Sequence, residues 1–511
     1  MNPSQVLIVG AGPTGLVLAI WLTRLGVSVR IIDKTAEPGT TSRALVVHAR
    51  TLEFYQQIGV ADAAIAAGLP FRAVNLWTRG KHAARIVFGE IGTGISPFPF
   101  MLILPQDRHE ALLVDHLATL GIEVERRTEL LDFADHDSHV EARLKRPDGT
   151  EEICQAAYIA GCDGAHSKVR EELNPGFPGG TYAHIFYVAD VVATGPVFNG
   201  ELHAALDEAD FLGVFPMQGE GRARLVGVVQ PQSETKHESL TWNDVSSQVF
   251  SRLGLNVSYI NWFSTYHVHH RVAAHFRKGR AFLLGDAAHL HSPIGGQGMN
   301  TGIGDAVNLS WKLAAVLHGR ADARLLDTYE PERIAFARRL VATTDRAFSL
   351  VTSNTPLARL VRLRIAPRLV PALMRLKKVR RLAFRTVSQT ALNYRGTPLA
   401  RGSAGALEGG DRLPWLEAQN SPKAPDNFTT LHTLEWQVHM YGTPDPALAR
   451  FCESRNLNLH VFPWRPEAGE KNLRENTAYL VRPDGYIALA KANADSLATY
   501  LDEWAIRPSG E

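Results

Sequence analysis

The sequence has few cysteines and almost no excess of charge of either sign. Only three of its 511 residues are cysteine, and Cys154, Cys162 and Cys452 form neither a CxxC pair nor a zinc-binding spacing. This pattern argues against a disulfide framework and a metal module. Lys and Arg number 54 against 52 Asp and Glu, which gives a formal net charge of +2 and no general attraction to nucleic acid. We therefore expect reduced thiols in a cytoplasmic protein that binds no nucleic acid.

Long apolar runs are also missing. The run from Leu16 to Leu22 is stopped by Arg24, far short of the ~20 apolar residues that a membrane-spanning helix needs. A strand is predicted as early as Val6–Val9, without the charged region that opens a secretory signal. We expect neither a signal peptide nor an integral membrane segment. With 45% hydrophobic and 21% charged residues, the composition is that of a globular protein, and the length predicts about three domains at ~100–200 residues each.

The first 35 residues have the pattern of a strand–helix–strand unit. The apolar strand Val6–Val9 leads into a GxGxxG turn at 10–15, an apolar helix to about Leu25, and a second strand that ends at Asp33. In such a unit the glycines allow a tight turn and a close approach to a pyrophosphate, and the acid accepts the ribose hydroxyls. The sequence predicts a dinucleotide site here. Its residues are Gly10, Gly12, Pro13, Thr14, Gly15, Asp33 and Lys34.

Two further motifs follow predicted strands. A hairpin around Asp148-Gly149 runs into the segment GCDGAHSKVR at 161–170. Later, a strand at 280–284 ends in GDAAH at 285–289, and GGQGMN at 295–300 opens a long helix that Gly319 terminates. No second GxGxxG follows a strand, so no dedicated NAD(P)H-binding domain is expected.

In this order, GAGPTGL, GCDGAHSKVR and GDAAHLHSPIGGQGMN resemble the three FAD-binding motifs of the single-component flavoprotein aromatic hydroxylases, the p-hydroxybenzoate hydroxylase fold. The resemblance spans about residues 3–345. It implies an α/β fold in which a Rossmann-like FAD-binding domain is interrupted by an antiparallel sheet that covers the active site. The segment 479–488 also resembles a hairpin in the thioredoxin-like tail of the phenol hydroxylase branch. Because this tail lacks CxxC, we expect it to be structural, with a homodimer contact as one open role.

These resemblances imply a division of the chain into domains. The predicted parts are an FAD-binding domain at 1–70, 105–180 and 271–397, a substrate-binding sheet domain at 71–104 and 181–270, a linker at 398–410, and a thioredoxin-like domain at 411–511.

The same family resemblance assigns roles to residues outside the first turn. Arg43, in a segment similar to the family's SRA…HARTLE sequence, is expected beside the flavin ring and is the one catalytic residue suggested; the substrate's acid and base are not located. The other cofactor-binding residues implied are Gln106, Asp163, Asp286, Pro293, Gly298, Met299 and Asn300. Four histidines cluster at 267–275, but they lack a metal-binding spacing and no metal site is expected.

The implied activity is hydroxylation of a phenolic or polycyclic aromatic substrate with noncovalent FAD, NADPH or NADH, and O2. A flavin C4a-hydroperoxide would be the oxygenating species. Two alternatives stay open: a Baeyer–Villiger oxygenase of the same fold, and a flavin-binding stabiliser without catalytic activity. The sequence does not identify the substrate, the choice between NADPH and NADH, or the oligomeric state.

One segment has a composition of its own. Ten basic residues lie between Arg359 and Arg385, interleaved with Leu, Val and Ile. A helix that binds a membrane surface or an anionic partner is one interpretation. The other, which we favour from sequence, is a solvated face of helices packed on the FAD-binding domain.

Overall fold

The computed structural model describes residues 4–39, 44–71, 73–87, 92–206, 211–229, 240–292, 294–352, 355–418 and 426–508. Two residues predicted for the site, Arg43 and Pro293, lie outside this set. The strands are β1 (Val6–Val9), β2 (Val29–Asp33), β3 (Val46–Val47), β4 (Leu69–Phe71), β5 (Ala73–Thr78), β6 (Lys81–Val87), β7 (Met101–Ile103), β8 (Val124–Arg126), β9 (Glu129–His136), β10 (His139–Lys145), β11 (Glu151–Ala156), β12 (Tyr158–Gly161), β13 (Gly179–Thr194), β14 (Leu202–Leu206), β15 (Phe211–Pro216), β16 (Arg222–Val229), β17 (Asn256–Val272), β18 (Arg277–Lys278), β19 (Ala281–Leu283), β20 (His289–Leu290), β21 (Ser403–Ala404), β22 (Leu407–Glu408), β23 (Gln437–Tyr441), β24 (Asn458–Phe462), β25 (Thr477–Val481) and β26 (Ile487–Ala492). The α-helices are α1 (Pro13–Arg24), α2 (Ala49–Gln57), α3 (Ala61–Ala67), α4 (Gln106–Thr119), α5 (Lys168–Leu173), α6 (Ser247–Leu253), α7 (Gln297–Leu317), α8 (Tyr329–Thr352), α9 (Pro356–Leu360), α10 (Ala366–Met374), α11 (Lys377–Val387), α12 (Pro446–Ser454), α13 (Pro466–Glu470) and α14 (Ala494–Glu503).

A mostly parallel sheet with the strand order β18-β19-β12-β1-β2-β8 forms the base of the molecule. Strand β1 is buried along its whole length and pairs in parallel with β2 and β12. Helix α1 is buried from Leu16 to Leu22 and packs against α7, which explains why both helices are so apolar. The strand–helix–strand unit predicted from the first 35 residues is therefore present, and the carboxyl ends of β1, β12 and β19 carry the three motifs.

A second, largely antiparallel sheet lies over these motifs. Its eight strands follow the order β20-β17-β13-β16-β15-β14-β5-β6, and the long strands β13 and β17 pair along most of their length. The segment 101–103, which we expected in this sheet, instead pairs with β3 and β4 in a separate three-stranded sheet. That small sheet joins the two larger ones beside the site.

The tail has a four-stranded sheet of order β24-β23-β25-β26. Strand β23 is parallel to β24 and antiparallel to β25, which is antiparallel to β26. The tail is thus a mixed sheet with helices, and its assignment as thioredoxin-like stays a prediction. Cys452 lies on α12 in the core of this unit, where burial raises the pKa of its thiol to about 11.

The segment expected as a linker has its own structure. Strands β21 and β22 form a short hairpin that packs on β26. A Cβ at Gly409 would overlap the backbone of Arg401, so glycine is needed there for the backbones to approach. None of the helices among the described residues is long and apolar enough to cross a membrane.

Candidate active site

The GxGxxG turn between β1 and α1 is shaped by three glycines with different surroundings. Gly10 has a φ of 102°, and a Cβ there would overlap the Cys162 carbonyl group. A Cβ at Gly15 would overlap the Gly10 carbonyl oxygen. Around Gly12, in contrast, no atom lies within 4 Å of the Cβ position. The turn thus packs tightly on the protein side and is open at Gly12, where the N-terminus of α1 presents N–H groups suited to an anion.

Asp33 and Arg126 lie next to this turn. Asp33 Oδ2 accepts a hydrogen bond from the Ala11 N–H at 2.7 Å, and its Oδ1 accepts one from the Thr35 N–H at 2.8 Å. Arg126 Nη1 is 3.8 Å from Asp33 Oδ2, while its Nη2 is buried without a partner among the described residues. A buried guanidinium N–H group without an acceptor is suited to a ligand that offers phosphate or ribose oxygens. Lys34 is exposed.

Asp163, predicted to contact the cofactor, uses its carboxylate within its own motif. It accepts hydrogen bonds from the Ser167 hydroxyl at 2.5 Å and from the Lys168 and Val169 N–H groups at 2.7 and 3.2 Å. These bonds fix the N-terminus of α5, and burial raises the pKa of Asp163. At this motif the cavity wall is formed by Cys162, Gly164 and Ala165.

Arg170, at the end of the same motif, connects it to the GDAAH segment. Its Nη1 donates to the Ala287 carbonyl at 2.9 Å and its Nη2 to the Ala165 carbonyl at 2.6 Å. From sequence it could equally have been a surface residue. The two carbonyls are 122 positions apart in sequence, so only folding brings them to one guanidinium.

Asp286 is the exposed residue between buried Gly285 and Ala287, and its side chain lines the cavity. Below it, Asp305 Oδ2 contacts His289 Nε2 at 2.7 Å, and Asp305 Oδ1 accepts from Arg333 Nε at 2.6 Å. Burial alone would raise the pKa of Asp305, but Arg333 and His289 hold it below its usual value. This ionised cluster fixes the turn that presents Asp286.

The N-terminus of α7 forms the next part of the wall. Gly295 and Gly296 are both left-handed, with φ of 79° and 62°, and Gln297, Gly298 and Met299 line the cavity after them. The first N–H groups of a helix lack intrahelical partners and favour an electron-rich ligand edge.

Asn300 and Gln106 are tied to protein groups. Asn300 Oδ1 accepts from the His48 N–H at 2.9 Å, and its Nδ2 donates to the Val46 carbonyl at 2.8 Å, which holds β3 against α7. Gln106 lines the cavity, accepts from the Ala44 N–H at 3.2 Å and donates to Glu110 at 2.7 Å. The Asn300 side chain therefore acts by positioning its neighbours.

One cavity of about 560 Å³ runs from the GxGxxG turn to the underside of the eight-stranded sheet. Of the groups described above, those that line it are Gly12, Pro13, Thr14, Gln106, Cys162, Gly164, Ala165, Asp286 and the segment 295–299. Beneath the sheet its walls are mainly apolar. They include Leu45, Val46, Phe71, Val74, Met101, Leu202, Phe215, Val226, Val268 and Leu290. Such a chamber suits a flat hydrophobic ligand held by a few polar groups.

Arg224 is a polar residue of this wall that sequence reasoning missed. It is only 1% exposed, and its Nε and Nη2 donate to the two carboxylate oxygens of Asp190 at 2.6 and 2.8 Å. Its Nη1 donates to the Ala44 carbonyl at 3.3 Å. The sequence predicted a strand here but gave no sign that this arginine points inward, since Asp190 belongs to another strand.

His291 was likewise not assigned a role. Its Nδ1 lies 2.9 Å from the Ser292 carbonyl and so carries the proton, which leaves Nε2, buried and without a partner among the described residues, as an acceptor. Burial lowers the pKa of His291 to about 4, so the ring is neutral near pH 7. The described residues contain no group of three His, Cys, Asp or Glu side chains suited to a metal ion.

Comparison with known proteins agrees with this geometry. Residues 3–344 match the family described as FAD binding domain. The chain is 38% identical over 515 residues to 6-methylpretetramide 4-monooxygenase of Streptomyces rimosus, covering 95% of this chain and 90% of that protein. Among solved structures, OxyS anhydrotetracycline hydroxylase from Streptomyces rimosus aligns with a TM-score of 0.79 at 28% identity, over 99% of this chain and 100% of that one. A complex of aklavinone-11 hydroxylase with FAD and aklavinone aligns with a TM-score of 0.78 at 25% identity, over 98% of both chains. The chain therefore belongs to the FAD-binding family of aromatic hydroxylases and is a flavoprotein monooxygenase.

Proposed function

We propose that this monooxygenase hydroxylates a phenolic, polycyclic aromatic compound, with NAD(P)H as reductant and a flavin C4a-hydroperoxide as the oxygenating species. One observation carries the proposal: a single cavity joins the dinucleotide-binding turn to an apolar chamber beneath a sheet. The names of the relatives support the substrate class, because they refer to a pretetramide, an anhydrotetracycline and aklavinone.

The residues along the cavity fit FAD. The open face of Gly12 and the N-terminus of α1 would receive the pyrophosphate, and Asp33 with Arg126 would hold the adenosine side. Asp286 would accept hydrogen bonds from the ribityl hydroxyls, and the first turn of α7 would face the flavin pyrimidine. When bound, FAD supplies the hydride acceptance and the activation of O2.

Arg224 would act on the substrate. A free phenol has a pKa near that of tyrosine, ~10, and an adjacent cation lowers such a pKa by about 1–3 units. The guanidinium lines the cavity, and Asp190 fixes its plane there. A phenolate held there is electron-rich at its ortho carbon, which is the position that an electrophilic oxygen attacks.

The apolar walls would serve the same reaction by excluding water. A reactive oxygen species in a wet site decays to H2O2 without oxygenating the substrate. Side chains such as Phe71, Met101 and Phe215 offer no donor or acceptor to retain water beside the ring.

The test is mass spectrometry of products formed under 18O2 from a panel of phenols and their methyl ethers. We expect the phenols to gain one labelled oxygen, and the ethers to give mainly H2O2 because they cannot ionise. Arg224→Gln should lower kcat/KM for phenols by roughly 10- to 100-fold, consistent with loss of a charged hydrogen bond. Arg222→Gln, a cation on the same strand that does not line the cavity, should leave it unchanged. Labelled oxygen inserted next to a ketone, in a substrate without a phenol, would instead establish the Baeyer–Villiger alternative.

A further inference from the structure

Exposed apolar side chains are concentrated in one region of the molecule. Ten large apolar side chains of the described residues are strongly exposed, and seven of them lie between residues 357 and 382. The extremes are Leu357 and Leu382, at 71% and 65% exposure. Isolated exposed leucines are ordinary on protein surfaces, but a contiguous group indicates a contact surface.

Helix α10 shows how these side chains are arranged. Ile365, Leu369, Leu373 and Leu376 recur every three or four residues and are all exposed, so they form one outward stripe. The opposite face is anchored, since Met374 packs against the main core. In α11, Phe384 is fully buried in the same core. The helices are thus fixed to the protein by one side and present leucines on the other.

The charge of this region is of one sign. Between Asp345 and Glu408 the sequence contains no Asp or Glu but 13 Lys and Arg. Arg364, Arg368 and Arg375 are exposed along α10 and the turn before it. They form no salt bridge with the described residues, and neither do Lys377, Lys378, Arg380 and Arg381. We call the surface formed by α9, the π-helical turn Val361–Ile365, α10 and α11 the basic helical surface.

We propose that the basic helical surface docks on an anionic lipid bilayer. Helices with an apolar stripe beside Lys and Arg lie in the membrane interface, where leucines enter the acyl boundary and the cations meet phosphate headgroups. A second copy of this chain is a poor partner, because an isologous contact would place these cations opposite themselves. A protein partner is disfavoured as well, since the centre of a protein interface is depleted of charged residues, whereas here cations alternate with the leucines.

The basic helical surface adjoins the cavity. Val387, the last residue of α11, lines the cavity wall, and its carbonyl accepts a hydrogen bond from Gln297 Nε2 at 2.9 Å. Docking would therefore bring this wall close to the bilayer. An apolar aromatic substrate dissolved in the membrane would then have a short path to the cavity. This consequence rests on the function proposed above, whereas the docking itself does not.

The test is flotation of the full-length protein with phosphatidylcholine vesicles, with and without phosphatidylglycerol. We expect binding only to the anionic vesicles, and weaker binding at high salt. The Lys377→Gln, Lys378→Gln double variant should lower the partition coefficient by about fivefold per cation. The Leu369→Ser, Leu373→Ser double variant should lower it even at low salt.

Two control variants replace an apolar and a basic side chain elsewhere on the surface. Ile153→Ser, at a leucine-sized side chain that is 56% exposed, and Arg143→Gln should bind vesicles like the parent protein. Absence of binding to anionic vesicles at low salt would overturn the proposal, as would equal losses in the control variants. Binding to a polyglutamate column without vesicle binding would assign the surface to an acidic protein instead. Since flotation needs no turnover, its outcome is independent of the proposed reaction.

Discussion

At the scale of single residues, two aspartates of similar motifs have different tasks. Asp163 follows a strand, and both of its carboxylate oxygens accept hydrogen bonds from groups at the N-terminus of α5. Asp286 also follows a strand, but it faces the cavity from a turn that Asp305 and Arg333 hold in place. Family resemblance assigned both to the cofactor. Their surroundings separate a residue that shapes a motif from one that can touch the ligand.

We predict that Asp286→Ala weakens FAD binding more than Asp163→Ala does. Losing a hydrogen bond to a charged acceptor costs about 1.5–3 kcal/mol, which is roughly a 10- to 100-fold rise in the FAD dissociation constant. Asp163→Ala should act mainly on the melting temperature of the FAD-free protein, because it removes the acceptor of the Lys168 and Val169 N–H groups at the start of α5. Fluorescence titration with FAD and thermal unfolding separate the two effects. Equal or reversed dissociation constants would contradict the assignment.

At the scale of elements, the turn between β1 and α1 combines rigid packing with an open face. Gly15 is required by the close approach of α1 to the Gly10 carbonyl, whereas the space around Gly12 serves no packing purpose. If the segment served only as a tight turn, packing would require glycine at position 15 but not at position 12. The open position is thus the one that a ligand explains.

We predict opposite outcomes for alanine at these two glycines. Gly12→Ala should leave the stability of the FAD-free protein within about 0.5 kcal/mol, because its φ of −76° suits any residue and its Cβ meets nothing. It should still weaken FAD binding, since the methyl group enters the phosphate position. Gly15→Ala should destabilise the protein itself by 1–3 kcal/mol or more, as overpacking does. Urea unfolding and FAD titration of both variants measure these effects. If Gly12→Ala were destabilised but bound FAD with normal affinity, the open face at Gly12 would not be the phosphate site.

Helix α4 contains a histidine that makes stability depend on pH. His109 is fully buried with its Nε2 2.6 Å from the Tyr55 hydroxyl, and burial lowers its pKa to about 4. In the unfolded chain a histidine has a pKa of ~6.5, so below that pH the unfolded chain binds a proton that the folded protein does not. The free energy of unfolding therefore falls as the pH drops from about 6.5 towards 4.

We predict that His109→Gln reduces the loss of stability between pH 7 and pH 5 by roughly 2 kcal/mol. Urea unfolding at the two pH values measures it. The His136→Gln variant, at an exposed histidine, is the control for the substitution itself. An unchanged difference in His109→Gln would mean that folding does not lower the pKa of His109.

At the scale of the whole molecule, buried ion pairs join the tail to the FAD-binding part. Arg482, from the turn after β25, donates to Glu332 on α8 at 2.7 and 3.0 Å, and Lys312 on α7 donates to the same carboxylate at 2.9 Å. Burial alone would raise the pKa of Glu332, but Arg482 and Lys312 lower it to about 2. In a second contact, Arg412 pairs with Glu53 on α2. Buried ion pairs therefore hold the tail against the FAD-binding part, and each charge is stabilised by its partner across this contact.

We predict that Glu332→Gln destabilises the protein by about 3–5 kcal/mol, because it leaves Lys312 buried without a counter-ion and Arg482 with Asp484 alone. Urea unfolding measures the change. Arg143→Gln removes a solvent-exposed pair with Asp132 and should have little effect on stability. A neutral effect of Glu332→Gln would show that water reaches this junction.

The fold class, the glycine-rich turn after β1 and the other two motifs could be predicted from the sequence alone. Each of these depends on spacing within a short stretch, such as the strand, glycines and Asp33 of the first 35 residues. Helix limits followed from the same local rules, and α7 begins and ends within two residues of the expected positions.

Contacts between groups far apart in sequence could not be predicted and became visible in the folded structure. Arg224 acquires its place through Asp190 on another strand and through the Ala44 carbonyl, 180 positions away. Arg126 and Arg482 carry no local signal either, since an arginine on a strand or in a turn is usually solvated. The apolar chamber, the tail junction and the exposed leucines of α10 all depend on how sheets and helices stack. That stacking results from the summed burial of many side chains, which no short sequence pattern records.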